Sequence, residues 1–244
     1  GSRKGELSVT VTNSENGLDI FVTGGKPLDR QMLIDLAGFV ANRGLARLAW
    51  DDEVVAEAHH AYQRFGKALV VPPPGAFLQA TKAGEASLLA KVLESVQGAK
   101  RIADMFAGSG IFSLPLAELG EVRAFESDPE MIKALDKGWR MATGLKNVSA
   151  EVLDLFRNPL MPDELEKFDA VVIDPPRAGA KAQVEHLANS NVPVIAFVSC
   201  NPITFARDAR TLIEGGYRME EVSVVDQFRW SSHIEVVAKF VKAD

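Results

Sequence analysis

Alternating apolar and polar residues open the chain. Residues 7–12 alternate with a period of two, and residues 18–22 form a second apolar run. The stretch between them ends in Asn16-Gly17, a pair typical of tight hairpin turns. The pattern therefore predicts a β-hairpin at the start of the chain.

A short helix and two more strands are predicted next. Asp29 can cap a helix whose apolar residues at 32, 33, 36, 39 and 40 share one face. Strands are predicted at residues 46–50 and 54–58. Residues 1–66 are thus predicted to form a small α+β appendage, and this part of the sequence carries no interpretable chemistry.

From residue 67 onward, predicted strands alternate with predicted helices. The helices are predicted at 84–95, 111–119, 129–143, 183–188 and 203–214. The strands are predicted at 101–105, 121–126, 148–153, 170–173, 192–198, 220–226 and 235–241. This alternation indicates an α/β domain over residues 67–244, with a doubly wound, mostly parallel, Rossmann-like sheet that ends in an antiparallel hairpin. Ligands of such sheets bind at the carboxyl ends of the strands.

Composition narrows the class of protein. The 244 residues are 47% hydrophobic and 25% charged, which is typical of a globular protein. The 27 basic and 33 acidic residues give a net charge of −6. An acidic chain is a poor stand-alone nucleic-acid binder, because phosphates are held by clustered Lys and Arg. Nucleic acid held mainly by another region of a longer protein remains compatible with this charge.

The number of cysteines and the first residues of the chain indicate which bound groups, which cellular compartment and what chain length to expect. Cys200 is the single cysteine, so we expect no intramolecular disulfide, no metal and no iron–sulfur cluster in this chain. Because a single cysteine forms no intramolecular disulfide, we expect a reducing, cytoplasmic setting. We expect no membrane contact, because no apolar run reaches the ~18 residues of a membrane helix. The chain opens with Gly1-Ser2 rather than Met, and we expect it to be part of a longer protein.

Glycines and carboxylates follow the first three predicted strands of this domain. Gly108 and Gly110 permit a tight turn and close approach of a ligand to the backbone. Taken alone, this pair is as typical of an ordinary turn as of a dinucleotide site. Glu126 could accept hydrogen bonds from ribose hydroxyls, and Asp154 from an adenine amino group. Because acidic strand ends repel phosphate, we expect S-adenosylmethionine, with its sulfonium cation, rather than NAD.

Reactive side chains follow the later strands. Asp174 is followed by Pro175, Pro176 and Arg177, and Cys200 follows the fifth strand. Each has a structural alternative, because Asp174 can simply end a strand and a lone cysteine is usually a small buried hydrophobe. Glu235 near the start of the last strand could act as a base, although such a residue more often lies on a solvated face.

Three segments together resemble the RNA uracil-5-methyltransferase family. They are Asp-Pro-Pro-Arg-Ala-Gly-Ala at 174–180, Val-Ser-Cys-Asn-Pro-Ile-Thr-Phe-Ala-Arg-Asp at 198–208, and the stretch from Asp226-Gln227-Phe228 to His233-Ile234-Glu235. Phe77-Leu78-Gln79 also resembles the Phe-x-Gln element of that family. The resemblance covers residues 68–241 and implies a class I methyltransferase that methylates carbon 5 of a uridine in RNA.

The resemblance implies roles for individual residues. Cys200 would be the nucleophile and Glu235 the general base. The residues implied to bind S-adenosylmethionine are Gln79, Phe106, Gly108, Gly110, Glu126, Asp154 and Asp174. Those implied to contact the substrate are Phe77, Asp174, Arg177 and His233. We expect ribosomal rather than transfer RNA, bound mainly through an N-terminal region that this chain lacks.

The sequence departs from the family pattern at some positions. Thr81 stands where the family usually has Asn, and Arg229-Trp230 stand where it usually has Pro.

The main rival function is that of a methyltransferase of exocyclic amines, which would use Asp174-Pro175-Pro176 without a covalent intermediate. Arg177 occupies the position of the aromatic residue that such enzymes stack on the base. A binding module without activity and an NAD-dependent oxidoreductase are weaker alternatives.

Overall fold

A computed structural model describes residues 5–228, 230–231 and 233–243. Gly1-Ser2 and Arg229, noted above, lie outside the described residues. The chain divides into two compact units. The first contains the residues up to Arg64 together with Leu69–Phe77, and the second contains Phe65–Ala68 and the residues from Leu78 onward. The single boundary after residue 66 stays a prediction.

The first unit is a four-stranded sheet with one helix. Its elements are β1 (Ser8–Ser14), β2 (Gly17–Thr23), α1 (Arg30–Arg43), β3 (Arg47–Trp50) and β4 (Glu53–Glu57). The strands lie in the order β1-β2-β3-β4, and only β2 and β3 run parallel, joined by α1. The predicted hairpin, helix and strands are confirmed. The carboxylate of Asp29 caps α1 by accepting a hydrogen bond from the Met32 amide at 2.8 Å.

A two-stranded hairpin that the sequence did not predict follows, with β5 at Gln63–Phe65 and β6 at Ala68–Val70. Both strands are three residues long, which is too short for a periodic pattern to emerge.

The second unit contains the remaining elements. They are α2 (Lys82–Ser95), β7 (Arg101–Met105), α3 (Ser113–Leu116), β8 (Glu121–Glu126), α4 (Pro129–Met141), β9 (Val148–Val152), α5 (Pro162–Leu165), β10 (Ala170–Ile173), α6 (Lys181–Ala188), β11 (Val194–Ser199), α7 (Pro202–Glu214), β12 (Tyr217–Val225) and β13 (Glu235–Lys242). Seven strands form one sheet in the order β12-β13-β11-β10-β7-β8-β9. Strands β7 to β11 run parallel, and β13 runs antiparallel to both of its neighbours. The predicted α/β fold with a C-terminal antiparallel hairpin is confirmed.

The sheet is central because both of its faces are buried. Residues of α2, α3 and α4 pack with one face, and residues of α5, α6 and α7 pack with the other. All four residues of β10 are buried, as a strand covered on both sides requires. No helix of the described residues has the length and apolar character needed to cross a bilayer.

Some element bounds differ from the prediction. The helix predicted at 111–119 is reduced to Ser113–Leu116, since Gly110 has a φ of +96° and Pro115 lacks an amide hydrogen. Strand β12 begins at Tyr217 rather than at residue 220, and the four-residue helix α5 was not predicted. The other predicted helices and strands of this unit are confirmed to within a few residues.

Candidate active site

The predicted catalytic residues of the second unit lie at the edge of the sheet where the parallel strands end. Because β13 runs antiparallel to β11, its first residue lies at the edge where β11 ends. Ser199 of β11 pairs with Val236 of β13, so Cys200 and Glu235 are the next residues outward on neighbouring strands. Two residues 35 positions apart in the sequence are therefore brought side by side by strand pairing.

The turn after β7 leaves room for a ligand. Gly108 has a φ of +53°, and a Cβ built on it would meet no atom within 4 Å, so the space beside its backbone is open. Gly110 has a different reason to be glycine, because its Cβ would approach Leu135 to 2.9 Å. The two glycines thus serve separate needs: one opens the site and the other packs the turn against the core.

Glu126 anchors this turn from the end of β8. Its Oε2 accepts a hydrogen bond from the Gly108 amide at 3.1 Å, and its Oε1 accepts from the amides of Ser127 and Asp128. A carboxylate oxygen has two lone-pair directions, so Oε2 can accept one more hydrogen bond. Glu126 can therefore hold the turn and bind a hydroxyl group at the same time.

An aromatic pair lies beside this turn. Phe106 has a φ of +62°, an uncommon conformation for a residue with a side chain. Its ring lies 5.3 Å from the ring of Phe156, which is 48% exposed. Asp154 accepts a hydrogen bond from the Phe156 amide at 3.0 Å, so its carboxylate is fixed to the backbone of the residue that carries the second ring. Sequence reasoning missed Phe156, although its position two residues after Asp154 was the available signal.

Asp104 is a second residue that sequence reasoning missed. It is fully buried, and its Oδ2 accepts a hydrogen bond of 2.5 Å from the Ser113 hydroxyl. Its Oδ1 has no hydrogen-bond partner among the described residues. Burial, with a smaller contribution from Glu126, raises the pKa of Asp104 to about 7. The carboxyl group is therefore protonated below about pH 7, and one of its buried oxygens has no partner among the described residues.

Asp174 is the centre of the acidic cluster. Desolvation by the surrounding protein, together with the smaller effects of the Glu235 and Asp104 charges, raises its pKa to about 8. Each ionised carboxylate in a shared site raises the free energy needed to ionise the next one. This edge of the sheet therefore favours a cation or a hydrogen-bonding neutral ligand, and disfavours a phosphate.

Cys200 and Glu235 are both held away from their charged forms. Burial raises the pKa of the Cys200 thiol, and the nearby carboxylates of Glu235 and Asp174 raise it further, while Arg177 lowers it. Burial also raises the pKa of Glu235, which is 5% exposed, and Arg177 again opposes the shift. Arg177 is thus the positive charge that acts on both groups. Perturbed groups assembled in this way are typical of catalytic sites.

The loop that carries Arg177 is fixed to the start of α7. Asn201 Nδ2 donates to the Arg177 carbonyl at 3.0 Å, and the Thr204 hydroxyl donates to the same carbonyl at 3.2 Å. Arg207 donates to the Ala178 carbonyl, and buried Asp208 accepts from the Ala180 amide at 2.9 Å. These contacts explain why the segments 174–180 and 198–208 occur together in one sequence.

The Arg177 side chain has a partner on the loop between β12 and β13. Its Nη1 donates to Nδ1 of His233 at 3.1 Å. Because Arg can only donate, Nδ1 of His233 is the acceptor and its proton lies on Nε2. The contact ties this loop to the edge that carries Cys200.

Gln79 is held by the same loop. Gln227 Nε2 donates to Gln79 Oε1 at 2.8 Å, and Gln227 Oε1 accepts from the Thr81 amide at 3.2 Å. Within the described part of the chain, the amide nitrogen of Gln79 has no hydrogen-bond partner. Phe77 is 73% exposed and belongs to the first unit.

The predicted residues thus fall into groups. Asp174, Arg177, Cys200, His233 and Glu235 interact with one another, while Gly108 is bonded to Glu126 and Asp154 lies by Phe106. Among the described residues, no group of three or more His, Cys, Asp or Glu side chains is placed to hold a metal ion.

Comparison with known proteins agrees with this geometry. Residues 139–242 match the family model described as tRNA (uracil-5-)-methyltransferase. An RNA methyltransferase of Mesorhizobium japonicum is 49% identical over 232 residues, which are 95% of this chain and 56% of that protein. The 23S rRNA (uracil(1939)-C(5))-methyltransferase of Shewanella sp. is 36% identical over 170 residues, which are 68% of this chain and 38% of that protein. The chain spans little more than half the length of the Mesorhizobium relative.

A solved structure shares the fold. The Pyrococcus abyssi tRNA (uracil-54, C5)-methyltransferase, solved with S-adenosyl-L-homocysteine, superposes with a TM-score of 0.72 at 26% identity. The match covers 96% of this chain and 59% of that one. The sheet topology and this likeness define the second unit as a class I methyltransferase domain. Over residues 139–242 the chain is similar to the tRNA (uracil-5-)-methyltransferase family, and over most of its length it is similar to RNA methyltransferases.

Proposed function

We propose that this chain is the catalytic part of an S-adenosylmethionine-dependent enzyme that methylates carbon 5 of a uridine in RNA. The observation that carries the proposal is the placement of Cys200 beside Glu235 at the carboxyl edge of the sheet. A nucleophile and a base are the two groups that this reaction needs, because carbon 5 of uracil is a weak nucleophile.

The proposed mechanism starts at Cys200. Its thiolate adds to carbon 6 of the uracil and converts the ring into an enolate, whose carbon 5 is nucleophilic. After methylation, carbon 5 carries both the new methyl group and its original proton. Glu235 removes this proton, and the electron pair reforms the double bond between carbons 5 and 6 as the Cys200 sulfur leaves.

The charges around these groups suit the sequence of events. Arg177 favours the thiolate, and the carboxylates of Asp174 and Glu235 oppose it until one of them holds a proton. A carboxylate whose pKa is raised toward neutrality is a better base than an ordinary one. The raised pKa of Glu235 therefore supports its proposed role, and its position next to Cys200 allows it to act on the bound ring.

S-adenosylmethionine would supply the methyl group. The residues proposed to hold it are Gln79, Phe106, Gly108, Gly110, Glu126, Asp154 and Asp174. The open space at Gly108 and the spare acceptor of Glu126 fit a hydroxyl-bearing ligand, and the acidic groups near Asp174 fit a cationic one. We propose that Phe77, Asp174, Arg177 and His233 contact the RNA.

The choice of RNA rests on a relative. The Shewanella protein is named for a uridine of 23S rRNA, and the Pyrococcus protein for a uridine of tRNA. We propose ribosomal RNA, because the Shewanella protein is 36% identical to this chain and the Pyrococcus protein 26%. We further propose that much of the RNA affinity resides in a part of the full-length protein outside this chain, in keeping with the net charge of −6.

The decisive experiment uses a 23S rRNA fragment that carries 5-fluorouridine at the position named for the Shewanella enzyme. Because fluorine cannot leave as a proton, the elimination step stalls and the covalent complex accumulates. Intact mass spectrometry should show protein, RNA and one methyl group in a single species. Cys200→Ala should abolish that species, whereas the rival amine methyltransferase would still methylate ordinary RNA without Cys200.

A further inference from the structure

The loop between β12 and β13, residues 226–234, presents a solvent-exposed aromatic side chain next to the proposed active site. Trp230 in this loop is fully exposed to solvent. It has a φ of +67°, a conformation that costs energy for a residue with a bulky side chain. Uncommon backbone conformations occur preferentially at ligand-binding sites, so an exposed indole on such a backbone is a candidate contact for a ligand.

Contacts on both sides of Trp230 tie the loop to the site. On one side, Gln227 is bonded to Gln79 at 2.8 Å. On the other, His233 accepts from Arg177 at 3.1 Å. The Ser231 amide donates to the Phe228 carbonyl at 3.1 Å, so Trp230 lies between two residues that are hydrogen-bonded to each other. The indole is therefore carried on a turn whose two ends are fixed to site residues.

The surroundings of the turn are aromatic and cationic. The Phe228 ring is 40% exposed and lies 6.0 Å from the His233 ring in an edge-to-face arrangement. Arg177 adds a positive charge beyond His233. Aromatic rings beside a guanidinium are the combination that binds unpaired nucleotides, because the rings stack on bases and the cation attracts phosphate.

We propose that Trp230 stacks on an unpaired base next to the uridine that enters the site, so that the substrate is single-stranded RNA at this point. This inference rests on the proposed function. A uridine turned out of its stack leaves its neighbour without a stacking partner. The exposed indole would take the place of that missing partner and would hold the flanking nucleotide while Cys200 and Glu235 act on the uridine.

The test compares Trp230→Ala and Trp230→Phe with the wild-type chain on the same 23S rRNA fragment. We expect Trp230→Ala to weaken RNA binding about tenfold and Trp230→Phe to restore most of the loss, because phenylalanine also stacks. The matched control is Met141→Ala, which removes another exposed apolar side chain, at the end of α4 far along the chain from this loop. It should leave binding unchanged.

A second readout locates the stacked base. Each nucleotide that flanks the uridine is replaced in turn by an abasic one. At one position the abasic RNA should bind the wild-type chain about tenfold more weakly, and Trp230→Ala should then cause no further loss. Equal effects of Trp230→Ala on every abasic RNA would overturn the proposal.

The remaining outcomes separate this proposal from the proposed function. Trp230→Ala should still form the Cys200-dependent adduct with 5-fluorouridine RNA at saturating concentration. Wild-type affinity in Trp230→Ala would overturn the stacking role and leave the methyltransferase function standing. Dissociation of an oligomer in Trp230→Ala, with unchanged RNA affinity, would also overturn it and assign the indole to a contact between copies of the chain.

Discussion

The two units differ in how their buried carboxyl groups are partnered. In the first unit, Asp19 and Arg47 are both buried, and two parallel hydrogen bonds of 2.9 and 2.6 Å join the guanidinium to the carboxylate. Arg47 also donates to the Pro72 carbonyl at 2.9 Å. In the second unit, buried Asp104 has one oxygen without a partner among the described residues, and Asp174 is surrounded by other acids.

This difference distinguishes charged residues that stabilise the fold from charged residues that serve the proposed reaction. A buried ion pair with its hydrogen bonds satisfied can be accommodated by the fold, and breaking it leaves an isolated charge. An uncompensated cluster of acids costs stability and is retained where chemistry needs it. By this criterion, Asp19 and Arg47 hold the first unit together, and Asp104, Asp174 and Glu235 serve the proposed reaction.

The largest effect is expected from Glu235→Gln. Loss of the base should slow turnover at least about 100-fold without destabilising the fold, because a neutral amide relieves the crowding of negative charge. The covalent complex with ordinary uridine RNA should then accumulate, which intact mass spectrometry would detect. Glu214→Gln on the exposed end of α7 serves as the control. Normal release of product by Glu235→Gln would show that another group removes the proton.

A large loss of stability is expected from Asp19→Ala in the first unit. The change leaves the Arg47 guanidinium buried without its partner and should cost about 3–5 kcal/mol of unfolding free energy. Urea denaturation measures this loss, with Asp35→Ala on exposed helix α1 as the control. Replacing both partners together by Leu should recover much of the stability. A cost below about 1 kcal/mol for Asp19→Ala would contradict the structural reading of this pair.

A pH-dependent effect is expected from Asp104→Asn. The pKa of Asp104 rises from 3.8 to about 7 on folding, so the folded chain holds a proton that the unfolded chain releases. This contribution to stability is complete below pH 4 and is lost as the pH rises through 7. The wild-type chain should lose on the order of 1 kcal/mol per pH unit between pH 5 and 7 from this group.

Asp104→Asn should lack that loss, because an amide does not titrate in this range. Thermal melts of both chains at pH 5, 6, 7 and 8 give the comparison, and the difference between their slopes reports Asp104 together with its effect on the pKa of Asp174. Parallel slopes would mean that Asp104 ionises in the folded chain as it does in the unfolded one.

The smallest effect is expected from Asn201→Ser. A serine hydroxyl can still cap α7 at the Ile203 amide, but it loses the second hydrogen bond, from Nδ2 to the Arg177 carbonyl. The melting temperature should change little, while the alkylation rate of Cys200 should fall about threefold as Arg177 loosens. Asn201→Ala should lose both the cap and the anchor. An unchanged alkylation rate in both variants would exclude a positioning role for Asn201.

Much of the fold follows from local pattern. Strands β7, β8 and β10 were predicted with their observed bounds, because a glycine-containing turn comes soon after β7 and an acidic residue marks the end of β8 and of β10. The alternation of strands and helices also predicted that Gly108, Glu126 and Cys200 lie at or just after the ends of strands. Helix α3 was predicted too long and α5 was missed, because their four-residue spans depend on prolines and packing rather than on periodicity.

Local pattern and a family resemblance determined the class of fold, the strand ends that carry the candidate residues and the proposed chemistry. The tertiary structure alone decided which side chains meet. It placed Cys200 beside Glu235 through antiparallel pairing, buried Asp104 with one unpaired oxygen, and fixed the loop of Arg177 to α7. The physical reason is that periodicity reports which face of an element is buried, whereas burial of a charge and the pKa that follows depend on residues distant in sequence.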